Sequence, residues 1–280
     1  MSMSAKRTIK KELEFFGFGI HSGKPVELRL VPSDSGEIVF KRTDLDNLEF
    51  HLFPENIEAK NCTMLVTAQG RIQTLEHLMA VLWVFGIDSL TIELNQEEIP
   101  SMDGSALHFT RAVKGAGFRE LPEKKSLKKI TQSLFIQEED ASISVVPDTD
   151  LRISYHIEYD HPSIKKQDMS IVVNPENFGK EIAAARTFGF LEDVPALQKQ
   201  GLALGGSYNN TVVLDKTRVI NGPLRYPDEF VRHKILDCIG DLALIGMPVT
   251  GHFIAKKAGH VLHLRVVRFL LDNPEYLSPD

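Results

Sequence analysis

Strict alternation of apolar and polar residues through Pro25-Val26-Glu27-Leu28-Arg29-Leu30 predicts a half-buried strand, and the β-rich run Glu37 to Phe40 predicts an antiparallel neighbour. The period then changes. From about Thr74 to Phe85, the residues Leu75, Leu78, Met79, Leu82 and Phe85 recur at helical spacing on one face. Gly86 closes this helix, Ser89 to Leu94 reads as a returning strand, and Leu107 to Lys114 reads as a second helix stopped by Gly115 and Gly117. Further along, Ala141 to Val146 and Leu151 to Tyr159 are β-like, a long helix runs from about Asp228 to Ile245, a strand lies near Gly251 to Ala255, and a helix spans His260 to Leu271.

The order of elements therefore occurs twice. Between the two sets lies Glu120 to Lys129, which is highly charged, contains Pro122 and is the best linker candidate. The pattern predicts an α+β fold of two similar domains, residues 1–122 and 128–280, meeting at an interface. No close residue-level repeat accompanies it, so the duplication is one of pattern. Interfaces between domains are favoured places for sites.

Composition narrows the partners. Thirty-two basic against 38 acidic residues give a net charge of −6, without the basic excess that balances a phosphate backbone, so nucleic acid is not an expected partner. Only Cys62 and Cys238 are present, far apart, which excludes a disulfide framework or a thiolate zinc site and fits a reducing cytosol. The first residues carry no apolar stretch of the secretory kind, and runs such as Leu242 to Val249 fall short of the ~20 residues of a spanning helix. Any membrane contact is expected to be peripheral.

Three places could carry chemistry. On the long helix, His233, Asp237 and Asp241 recur every fourth residue and so share one face, where an imidazole and a carboxylate one turn apart can converge on a divalent ion. Such spacing is also common among hydrogen-bonded surface neighbours. The apolar company here strengthens the metal reading, because a buried carboxylate needs a cation or a donor. In the first half, Thr74 can cap a helix whose opening turn holds Glu76 and His77, with the helix dipole favouring an ionised carboxylate; an acidic residue opening a surface helix is the plainer reading. His260, at the start of the last helix, meets Asp241 if the helices pack, and is otherwise an ordinary terminal residue. The glycines of Gly201-Leu-Ala-Leu-Gly-Gly-Ser207 lack the Lys-Ser/Thr of a phosphate loop and read as a flexible loop.

Taken together, these motifs resemble the UDP-3-O-acyl-N-acetylglucosamine deacetylases, zinc amidases of lipid A synthesis. The resemblance extends through Gly17 to Lys24, Arg42 to Leu45, Thr74 to His77, Glu98 to Ser105, Ala185 to Phe190, Gly201 to Ser207, Asp228 to Asp237 with Ile239 to Asp241, and Gly259-His260. It implies two domains, each layering two helices against a sheet, with zinc at their junction held by His77, His233 and Asp237; ferrous iron suits the same donors. It further implies Glu76 as general base, His260 held by Asp241, and Thr187 polarising the carbonyl. Lys234 and Lys257 match positions near the diphosphate or sugar, and Tyr159 is the choice for stacking on uracil. An apolar insert at about residues 188–221, including Phe188, Phe190, Leu191, Leu197, Leu202 and Leu204, would receive the acyl chain or be ordinary core. The implied protein is a cytosolic monomer acting on an acylated UDP-sugar. Two other readings use the same residues: a zinc amidohydrolase for another N-acetyl sugar, and a non-catalytic nucleotide-sugar or lipid-binding module, which would have no need of Glu76 beside a ligand set.

Overall fold

Five strands form the first sheet of the computed structural model, which describes residues 3–279, in the order Leu13–Phe18, Pro25–Pro32, Leu90–Leu94, Ile38–Arg42, Leu48–His51. Alternation is visible in the side chains: Val26, Leu28 and Leu30 are buried while Pro25, Glu27 and Arg29 face solvent. Leu90–Leu94 occupies the centre, antiparallel to Pro25–Pro32 and parallel to Ile38–Arg42.

The second sheet repeats this arrangement. Its order is Leu134–Glu138, Ala141–Val146, Val249–Lys256, Leu151–Tyr159, Lys165–Val172, and its central strand is again antiparallel to one neighbour and parallel to the other. Two short strands, Lys128–Ile130 and Leu277–Pro279, extend it beside the start of the central strand. The duplication thus lies in topology, where burial pattern and strand order recur without recurring residues.

The charged segment between the halves is largely strand. Phe118–Ser126 pairs antiparallel with Met3–Ile9, and Lys128–Ile130 already belongs to the second sheet, so the crossing itself is confined to Leu127. Charge did not prevent pairing, because Lys6 and Glu123, and Lys125 and Asp88, neutralise one another across neighbouring segments.

The four main helices are Glu76–Val84, Leu107–Ala116, Glu229–Leu242 and His260–Asp272. Gly115 lies inside the second of these, and Gly117, with φ of +70°, ends it. The helix Glu76–Val84 departs from the one-sided stripe that its sequence predicts: every residue from Glu76 to Leu82 is buried. It packs closely against the helix Glu229–Leu242 and also meets the helix Leu107–Ala116, so the surface-helix reading of Glu76 does not hold. Each fully buried Leu or Val there contributes about 1.5–3 kcal/mol relative to exposure.

Close approach of those two helices depends on one glycine. A Cβ on Gly240 would run into the main chain of Glu76, so only glycine lets the helices meet at this point. That contact sets Glu76 and His77 beside Asp237 and Asp241. No helix among the described residues is long and apolar enough to cross a membrane.

Candidate metal centre and active site

One turn of helix separates His233 from Asp237, and the packing just described brings His77 to the same point. His233 Nε2 lies 3.3 Å and His77 Nε2 3.5 Å from Asp237 Oδ1, all three residues are buried, and their ligating atoms fall within 4.8 Å of one another. The imidazole rings stand nearly perpendicular, at 88°. His233 Nδ1 is 3.1 Å from the Ala185 carbonyl, a contact only an N–H can serve, so its Nε2 presents a lone pair toward the cluster. Burial drives His233 down to about 4, keeping it neutral, the form that ligates. Burial alone would raise Asp237, but His233 and Lys234 outweigh it and hold the carboxylate well below its usual range. Two imidazoles and one carboxylate, converging in a buried place, fit a divalent cation.

Glu76 borders this cluster from the first turn of its helix. The expected cap is absent: Leu75 occupies the N-cap position, and Thr74 instead adopts φ of +63° and donates its hydroxyl to Glu98. The Thr63 amide donates to Glu76 Oε2 at 3.1 Å. Burial pushes the Glu76 carboxyl above its ordinary value, against the lowering influence of His260 and His77, so the helix dipole does not decide its state.

Opposite Glu76 stands His260, whose Nδ1 is 2.8 Å from Asp241 Oδ2. Burial would lower this imidazole, but the charge and hydrogen bond of Asp241, helped by Glu76 and Asp237, raise it to about 9. Asp241 accepts two further donors, the Thr63 hydroxyl and His263 Nδ1, the latter at 2.7 Å. His263 Nε2 in turn meets the Tyr155 hydroxyl at 3.0 Å.

These groups close one end of a cavity of about 640 Å³. Glu76, His77, Thr187, His233, Lys234, Asp237 and His260 line it together with the apolar side chains of Ile20, Phe188, Phe190, Leu191, Val194, Leu197 and Val213 and with polar ones such as Asp193, Gln198 and Thr211. Thr187 is set by the other half of the molecule, its amide donating to the Gly104 carbonyl at 2.8 Å. A Cβ on Gly104 would strike the Asn210 carbonyl, which explains the glycine in Met102-Asp-Gly-Ser105. Beside it Asp103 pairs with Arg225 at 2.8 Å.

The model of the LpxC family, UDP-3-O-acyl N-acetylglycosamine deacetylase, matches residues 6–272. The chain belongs to this deacetylase family. Similar proteins named UDP-3-O-acyl-N-acetylglucosamine deacetylase occur in Thermodesulfovibrio yellowstonii, 45% identical over 98% of this chain and 94% of that protein, and in Syntrophus aciditrophicus, 42% identical over 98% and 88%. A third, from Myxococcus xanthus, is 43% identical over 96% of this chain and 87% of that protein.

Within this deacetylase framework, the structure gathers most of the predicted residues and leaves Lys257, Leu202 and Leu204 off the cavity lining. Lys257 is not among the cavity-lining residues; its ammonium lies 3.0 Å from both Asp140 and Glu158 at the surface. Leu202 also lies off the lining, in the turn after the short helix Val194–Lys199, and Leu204 is half exposed. Tyr159 does line the cavity, with its ring edge-on to Phe188 at 5.8 Å. The loop Gly201–Ser207 is tied down, since Leu204 and Gly205 donate to the carbonyls of His21 and Ile20. Arg42 makes a bidentate pair with Asp44 and caps the Arg71 carbonyl, a structural role for the Arg42-Thr-Asp-Leu45 motif. Sequence reasoning missed His263, three residues after His260, and the buried Glu98. The i, i+3 spacing of the two histidines was the available signal for the first.

Proposed function

We propose that this chain hydrolyses the N-acetyl group of a UDP-3-O-acyl-N-acetylglucosamine, releasing acetate and the free 2-amine, the committed reaction of lipid A synthesis. The observation that carries the reading is the buried Glu76 carboxylate beside His77, His233 and Asp237, in a cavity whose lining is mainly apolar. When bound by those three residues, zinc supplies Lewis acidity to the amide carbonyl and to water, and ferrous iron suits the same donors. Glu76 accepts the proton of the attacking water, its raised affinity for protons bringing it nearer to neutral pH. The Thr187 hydroxyl donates to the developing oxyanion. As the C–N bond breaks, His260 delivers a proton to nitrogen, so the amine leaves neutral. Lys234 and Tyr159 are assigned to the diphosphate and uracil, and the reading takes the protein as a cytosolic monomer.

The assignment of the acid has a pH signature. His260 titrates at about 9 because Asp241 overcomes burial, so it carries its proton below that value and loses it above. kcat/KM should therefore fall on the alkaline side, and Asp241→Asn, which removes the raising carboxylate, should move that falling limb to lower pH. An unmoved limb in Asp241→Asn removes His260 from the role of acid.

The apolar arm is tested by substrate choice. Burial of even three methylenes, at about 0.8 kcal/mol each, corresponds to more than about tenfold in kcat/KM. Acetate release should favour the acylated UDP-sugar by at least this factor over UDP-N-acetylglucosamine, and equal values would overturn the acyl assignment.

A further inference from the structure

Glu98 has no side-chain exposure, and no ion pair among the described residues reaches it. Its charge is met instead by three donors: the His21 amide at 2.9 Å and the Thr74 hydroxyl at 3.1 Å on Oε1, and the Ser22 amide at 2.8 Å on Oε2. A buried carboxylate without a cation is stabilised only while such donors are held in place. The two ends of this arrangement lead to different parts of the cavity.

On one side the carboxylate fixes the Ile20-His21 strip, which lines the cavity and ties down the loop whose Ala203, Gly206 and Ser207 line it as well. The Leu204 amide donates to the His21 carbonyl and the Gly205 amide to the Ile20 carbonyl, each at 3.0 Å, and the Ala203 amide approaches His21 Nδ1 at 3.4 Å. Contact is so close that a Cβ on Gly205 would collide with the Gly19 carbonyl. On the other side Thr74 is a β-branched residue held in the left-handed region, a conformation that persists only where its surroundings impose it. Its hydroxyl bond to Glu98 is one restraint; the Leu75 amide bonded to the Thr63 carbonyl and the Ile99 amide bonded to the Gln73 carbonyl are others. Two residues after Thr74 comes Glu76, and then His77.

We propose that Glu98 is a positioning residue that joins the wall of the apolar arm to the turn presenting Glu76 and His77, so that a chain seated in the arm improves the alignment of the base. The inference rests on the reading that the arm takes the acyl chain. It makes chain burial more than uniform binding: part of that binding is expressed as faster turnover. A purely structural Glu98 would have no such effect on the division between KM and kcat.

The test compares acetate release from acylated and unacylated UDP-N-acetylglucosamine, with kcat and KM resolved for each and metal content measured. In the parent, the acyl chain should both lower KM and raise kcat. Glu98→Gln keeps the size but places an amide NH2 against donors, so the chain should still lower KM while its kcat advantage falls by about tenfold. Thr74→Val should reproduce that loss with metal content unchanged, and Thr74→Ser, which retains the hydroxyl, should keep the parental advantage. Should Glu98→Gln fail to fold, the two Thr74 variants decide the matter alone. Equal losses of kcat on both substrates, or an unchanged kcat advantage, overturn the role of Glu98. A parent in which the chain lowers KM alone also overturns it while leaving the arm intact, whereas a parent indifferent to the chain refutes the arm and the coupling with it.

Discussion

His233→Ala is expected to lose the bound cation and to reduce turnover by at least about a thousandfold, since Lewis-acid stabilisation is worth several kcal/mol at the transition state. Of the three donors His233 is the cleanest to remove. It is neutral, being driven to about 4 by burial, and its loss leaves the Ala185 carbonyl without its donor while Asp237 keeps the Lys234 ammonium. Asp237→Ala is a harsher change, because it also takes away the partner of the Lys234 ammonium, 2.9 Å distant, and so mixes loss of metal with an unpaired cation. Metal analysis of purified protein together with acetate release checks the expectation. Chelation of the parent should have the same consequence, with activity returning on stoichiometric zinc. A metal-free protein that turns over at the parental rate would sink the assignment of His77, His233 and Asp237.

Glu76→Gln should keep the metal and cut kcat by ~10²-fold or more, the usual contribution of a positioned general base. The substitution preserves size and leaves a carbonyl oxygen able to accept from the Thr63 amide, so the buried first turn need not rearrange. What disappears is basicity. Glu76 contacts the helix Glu229–Leu242 through its main chain at Gly240, and that contact is untouched by a change beyond Cγ. A variant with normal metal content and a kcat within a few-fold of the parent would show that another group takes the proton of water.

How far each element could be read depended on the range of the interactions that decide it. The strands Ala141–Val146 and Leu151–Tyr159 and the ends of the long helix follow their local periodicity closely, because burial of one face and turn chemistry operate between near neighbours. Thr74 is the counter-example. Its hydroxyl has an intrinsic preference for capping the helix that follows, yet Glu98, 24 residues away, competes for it and wins. The charged segment after Gly117 reads as a linker for a similar reason: its partner strand is Met3–Ile9, at the opposite end of the first half, and no local signal announces that pairing.

By itself the sequence determined the α+β class, the doubled order of elements, and the presence of His233, Asp237 and Asp241 on one helical face, since each follows from spacings of a few residues. Only the tertiary structure decided that His77 meets Asp237 and that Glu76 is buried, because both require the two central helices to touch at Gly240. It likewise decided that Lys257 turns to surface carboxylates and that Asp241 holds His263 as well as His260. The physical reason is that metal ligation and desolvation depend on distances between atoms from separate segments, and close packing sets those distances only when both halves are in place.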